Sequence, residues 1–176
     1  MFTGRTYTVV TDHERAARVW RGIGQRAGGY VARMLICLWL SEEQGSDEML
    51  FAYLRKVFDM PRGVTVNFAD DEILEVKKTA EKVSHEGHRM IQFVRFQKAA
   101  DGTYFAPVSP RYNSLPLSVN HFRDRFADQK WIIYDTKRHY GYSYDLHSVT
   151  EIFLEDDAHY ASGRLPEEML DSDEHI

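Results

Sequence analysis

The sequence predicts an α+β domain in which a helical layer of about four helices packs on an antiparallel sheet of about five strands, with one short helix inserted among the strands. Three observations carry this expectation. Apolar side chains recur at i, i+3, i+4 and i+7 through the first half of the chain, and shorter β-branched and aromatic runs replace them in the second half. No repeat, low-complexity tract or long linker separates the two regimes. With 176 residues and 43% hydrophobic content, one continuous core is expected. Residues 1–176 are read as one domain, with a helical part over about 1–90, a mainly β part over about 91–155 and an acidic tail over about 155–176.

Each element has a local reason. Arg5 to Val10 is a short strand-like stretch, and Thr11-Asp12 offers a capping side chain before Ala16, Val19, Trp20 and Ile23 recur at helical spacing. Gly28-Gly29 breaks that helix, and Tyr30 to Leu40 reads as a second, largely buried one. Met49, Leu50, Tyr53, Leu54, Val57 and Phe58 mark a third, ended by Pro61-Arg62-Gly63. Trp20, Trp39 and Phe58 are expected in the helical core. From Asp70 to about Met90, Ile73, Val76, Ala80 and Val83 mark a fourth helix with acidic residues in its first turn. Ile91, Phe93, Val94 and Phe96 then read as a strand leading to a turn at Asp101-Gly102, with Thr103 to Val108 returning. Prolines 107, 110 and 116 punctuate the way to a short helix around Leu117–Phe126, and Trp131–Tyr134, Tyr140–Tyr144 and Val149–Leu154 read as three further strands.

Composition excludes several classes. The longest apolar run, Met34 to Leu40, is far short of the roughly 20 residues of a membrane-spanning helix. The N-terminus lacks the layout of a signal peptide, and the lone Cys37 sits within the apolar run, so a cytoplasmic location is expected. The formal charge of -5 argues against bulk electrostatic binding of nucleic acid, yet it averages unlike segments. Residues 1–80 carry 11 basic and 11 acidic side chains, residues 81–140 carry 10 and 6, and residues 141–176 carry 1 and 10. The middle is basic, and the acidic end is read as a solvated tail, the least ordered part of the chain.

Two segments are more distinctive. Glu86-Gly87-His88-Arg89-Met90 runs into Phe93-Val94-Arg95-Phe96, and His121-Phe122-Arg123-Asp124-Arg125-Phe126 runs into Trp131-Ile132-Ile133-Tyr134-Asp135, with Asn113-Ser114-Leu115-Pro116-Leu117 between them. Together with Arg18-Val19-Trp20-Arg21-Gly22 and Lys137-Arg138-His139-Tyr140-Gly141-Tyr142, these resemble, in order and over nearly the whole chain, a bacterial domain-of-unknown-function family associated by name with DNA metabolism. In that family a DNA-repair radical-SAM protein is typically encoded alongside, and relatives are fused to uracil-DNA-glycosylase-like proteins. The resemblance therefore implies an accessory role in DNA repair and a radical-SAM partner, and it brings no reaction with it. The family pattern usually has a leader before the Arg-Val-Trp helix and a basic, aromatic tail after the acidic stretch; neither is found here, so a role of that tail is not transferred to this chain.

Read for chemistry, the sequence offers one basic set. Arg89, Arg95, His121, Arg125 and Lys130 could hold phosphate groups, with His121 and Arg125 at i, i+4, while Trp131 and Tyr134 supply flat surfaces on which bases of single-stranded DNA could stack. The competing reading pairs these arginines with Asp124, Asp128 and Asp135 and puts the aromatics in the core. His85 and His88, three apart near a helix end, could share a face and form a zinc-type site with Glu86 and His121, but there is no HExxH motif and no cysteine pair, so no metal and no cofactor are expected. No nucleophile elbow, phosphate loop or radical-SAM cysteine trio is present. The sequence leans towards an adaptor without its own reaction. The alternatives are a hydrolytic enzyme on a nucleobase or phosphodiester, with His121, Asp128 and Asp135 as acid/base groups, and a pure protein-interaction module.

Overall fold

The computed structural model describes residues 8, 10–61 and 69–154, and its architecture is α+β. Most of the strand expected at Arg5–Val10, and the acidic tail over 155–176, lie outside the described residues. Three long helices come first: α1 (His13–Leu40), α2 (Ser46–Asp59) and α3 (Asp71–Phe93). Strands β1 (Gln97–Lys98) and β2 (Tyr104–Val108) follow, then a 3-10 turn (Leu115–Leu117), α4 (Val119–Arg125), β3 (Trp131–Asp135), β4 (Tyr140–Tyr144) and β5 (Val149–Ile152).

The helices begin and break where side-chain chemistry dictates. The Asp12 carboxylate accepts from the Arg15 N–H and starts α1, and Asp70 accepts from Glu72 and Ile73 at the start of α3. Gly28, with φ at 82°, kinks α1 into the two halves expected from the Gly-Gly pair. Arg26 then reaches across to α2 and donates to the Val57 and Phe58 carbonyls at 2.9 Å each, satisfying the end of that helix.

Val31, Met34, Leu35 and Leu38 of α1, Tyr53 and Val57 of α2 and Ile73, Val76, Ala80 and Val83 of α3 form the helical core. Each fully buried aliphatic side chain there contributes about 1.5–3 kcal/mol. Trp39 is not among them: it is 62% exposed, and Trp20 and Phe58 are also substantially exposed, contrary to the sequence expectation. The reason is phase. Because positions 34–40 are all apolar, the pattern does not say which side faces inward; packing turns 34, 35 and 38 in and leaves 33, 36 and 39 to solvent.

Helix α3 runs to Phe93, three residues beyond its expected end, so Ile91 and Phe93 are helical and the strand begins only at Gln97. The turn at Asp101-Gly102 forms as expected, with Gly102 at φ 81° and the Asp101 carboxylate accepting from the Thr103 N–H. The sheet order is β1-β2-β3-β4-β5, with β2 parallel to β3 and the other neighbours antiparallel, so the sheet is mixed. The parallel pair follows from the crossover: the link and α4 carry the chain back over one face before β3 starts. That face holds Ala106, Trp131, Ile133, Tyr140 and Tyr144 and packs on Met90, Leu115, Val119 and Phe122, joining sheet, α4 and the end of α3.

Strand β1 covers only Tyr104 and Phe105 of β2. Tyr104 donates to Lys130 and Val108 accepts from Thr136, so the backbone of these two residues faces β3 and that of Pro107 faces the uncovered edge.

Candidate functional site

The link after β2 is knitted into a polar junction. Glu86 on α3 takes the Arg111 and Tyr112 N–H groups on its two carboxylate oxygens, at 2.8 and 2.7 Å, and accepts the Ser114 hydroxyl at 3.3 Å. The Asn113 N–H caps the Leu40 carbonyl at the end of α1, its side-chain amide donates to Glu42, and its amide oxygen accepts the Tyr140 hydroxyl. Ser118 donates to the Gly87 carbonyl, and a Cβ on Gly87 would meet the Leu117 Cβ at 3.2 Å.

Arg138, in the turn between β3 and β4, is the centre of this network. It bonds the wholly buried Asp135 carboxylate at 2.9 Å, Glu42 at 2.7 Å and the Pro110 and Arg111 carbonyls at 3.2 and 3.0 Å. Burial alone would depress the guanidinium, but its bonds to Asp135 and then Glu42 outweigh that and hold it above its ordinary value. Desolvation raises the Tyr112 hydroxyl, and the Glu43 carboxylate beside it adds to the rise. Parts of the segments that carry the family resemblance, around Glu86, Asn113, Asp135 and Arg138, thus meet at the seam between helices and sheet and join the two.

Beside this seam lies an open groove of about 600 Å3 between the end of α3 and β2. Arg89, Phe93, Arg95, Pro107 and Ser109 line it, with Glu86 at its boundary. Arg89 and Arg95 are exposed, and neither makes an ion pair or hydrogen bond among the described residues. Phe93, between them in sequence, is 71% exposed. Phe93, read from the sequence as a strand residue, and Ser109 were not among the candidate site residues; the helix that continues to Phe93 is what puts its ring in the groove.

The structure divides the remaining candidates. His121 and Arg125 lie exposed on α4, and Asp128 and Lys130 are exposed in the turn that follows it. Trp131 and Tyr134 are 1% and 0% exposed, which corrects their assignment as stacking surfaces: the pleat turns Trp131 towards Phe122 and Tyr144, and Tyr134 onto the opposite face beside Phe105. Asp135 is enclosed by Arg138 and by the Lys137 and Arg138 N–H groups, so it is structural and does not join His121 and Asp128 in an acid/base site. Nor do the expected aspartates neutralise the candidate arginines, for Asp124 pairs with Arg123 and Asp135 with Arg138. His85 and His88 are exposed on α3, and no three metal-ligating side chains gather among the described residues.

No helix of the described residues is long and apolar enough to cross a membrane. No curated protein and no solved structure matches the chain. A family model does match, over residues 44–171, a span that contains the groove, α4 and the seam residues from Glu86 to Tyr140, while Leu40, Glu42 and Glu43 precede it. The chain belongs to the domain-of-unknown-function family DUF4130.

Proposed function

We propose that this chain is an accessory domain of DNA metabolism that holds single-stranded nucleic acid for a repair enzyme, a radical-SAM protein being the partner class the resemblance implies, and that it carries out no reaction of its own. The observation behind this reading is the pair of guanidiniums, Arg89 and Arg95, that share one groove, without a partner among the described residues, beside the exposed ring of Phe93. Guanidinium forks match phosphate oxygens, and an exposed ring accepts an unpaired base of any sequence. His121, Arg125 and Lys130 are further exposed basic groups on and after α4. The hydrolytic alternative loses one of its two carboxylates, because Asp135 is fully buried and bonded to Arg138, and rests on His121 with Asp128 alone.

Fluorescence anisotropy with labelled single- and double-stranded oligonucleotides, at low and near-physiological salt, tests the proposal. The single strand should bind more tightly, and Arg89→Ala and Arg95→Ala should each weaken it with little dependence on base sequence. Each loss should make the slope of log affinity against log salt shallower by about 0.7. Phe93→Ala should weaken binding without changing that slope. Absence of binding at low salt, or undiminished binding by the folded double-arginine variant, would remove the groove as a nucleic-acid site.

A further inference from the structure

The helical layer carries a second concave surface, which shares no residue with the arginine groove. Helices α2 and α3 each pack on α1 but touch one another only lightly, and the trough between them has a volume of about 440 Å3. Met49, Ala52 and Tyr53 on successive turns of α2 and Val76 on α3 give it an apolar floor. Its rim is acidic, with Glu48, Asp71, Glu72 and Glu75 against a single ammonium, Lys56.

Lys56 is already engaged, at 2.7 Å from both Asp70 and Glu72. Glu48, Asp71 and Glu75 are left without an ion pair or hydrogen bond among the described residues. The helix dipoles favour Glu48 and Asp71, which sit in first turns, but Glu75 lies beyond that range.

We propose that this trough docks an amphipathic helix of a partner protein whose apolar stripe is flanked by lysine or arginine. Shape and charge both point to that occupant. Met49 to Lys56 rises roughly 10 Å along α2, about two helical turns, the length over which a helix presents anchors at i, i+4 and i+7. An apolar stripe alone would cover the floor while leaving three carboxylates partly desolvated and unpaired, whereas basic flanks would neutralise them. The occupant completes a helical layer in which α2 and α3 both pack on α1 but touch each other only lightly.

The probe is a synthetic helical peptide of about 16 residues, long enough to hold a helix when docked, with leucine at i, i+4 and i+7 and flanking lysines; a sister peptide carries glutamates instead. Titrated into the full chain, the lysine peptide should bind at least about tenfold more tightly than its sister. The double change Glu48→Lys with Glu75→Lys should reverse that preference. Ala52→Trp, which fills the trough from an exposed position, should abolish binding at an unchanged melting temperature. Arg89→Ala with Arg95→Ala should leave peptide binding as it was, which separates this site from the groove. The proposal falls if neither peptide binds, if the two bind alike, or if the charge-swapped chain keeps the wild-type preference. Wild-type affinity in the folded Ala52→Trp variant would overturn it as well.

Discussion

Two charged regions lie on either side of Glu86, and they differ in how their charges are satisfied. At the seam, Arg138 meets two carboxylates and two backbone carbonyls and is almost wholly enclosed. In the groove, Arg89 and Arg95 meet no partner among the described residues and stand in solvent. Charge of the first kind specifies how layers join, because a buried carboxylate such as Asp135 is tolerated only with a bonded counterion. Charge of the second kind contributes little to folding and is available to something outside the chain. Arginines from neighbouring motifs therefore differ in what surrounds them.

The sharpest way to break this comparison is to remove one arginine of each kind. Arg138→Ala should destabilise the chain by about 3–5 kcal/mol, since Asp135 would remain buried and unpaired. For a chain of this size, that is a fall in melting temperature of roughly 6–20 °C. Arg95→Ala should stay within about 0.5 kcal/mol of wild type. Thermal unfolding of the two variants side by side decides it, and equal losses would erase the distinction.

Glu86 belongs to both regions, so Glu86→Gln should separate them further. An amide can accept only one of the two N–H groups that the carboxylate now holds, at a cost of about 1–2 kcal/mol. The same change removes a negative charge from the edge of the groove. It should therefore tighten oligonucleotide binding while lowering the denaturation midpoint, and a parallel loss of both properties would mean that groove and seam act as one unit.

The smallest effect is expected at a charge pair that is made but only partly buried, Lys56 with Asp70. The bond from Lys56, and then the N–H groups of Ile73 and Glu72, hold the Asp70 carboxyl below its ordinary value. A carboxylate depressed on folding stabilises the native state above its unfolded pKa, and that contribution is lost as pH falls through the folded pKa. Wild type should melt slightly above Asp70→Asn at neutral pH, and the lead should vanish in acid below the ordinary aspartate range. A lead that grew on acidification would contradict the sign.

The local devices of the fold were legible because each depends on a few neighbouring residues: the Asp12 cap, the break at Gly28 and the turn at Asp101-Gly102 all stand where their chemistry predicts. The end of α3 was misread because Ile91 and Phe93 alternate like a strand, whereas the helix continues to Phe93 and caps its Met90 carbonyl with Val94. The parallel pairing of β2 with β3 is a non-local choice that no window of sequence contains. In the candidate site, Arg89 and Arg95 could be picked out by type, but not the burial of Tyr134 or Trp131, which depends on what covers each sheet face. The bond between Asp135 and Arg138 had a readable signal: opposite charges three residues apart across a strand-to-strand turn.

Pro107 bears on the behaviour of many copies in solution. Past Phe105 the outer side of β2 has no neighbouring strand among the described residues, and such an unpaired edge can recruit an identical edge from another molecule and seed aggregation. At the residue whose backbone faces outward there, proline supplies a carbonyl but no N–H. A second copy laid along this edge would lose that rung of the ladder and meet the arginines of an identical chain at close range. The edge can thus stay open beside the groove without inviting self-association.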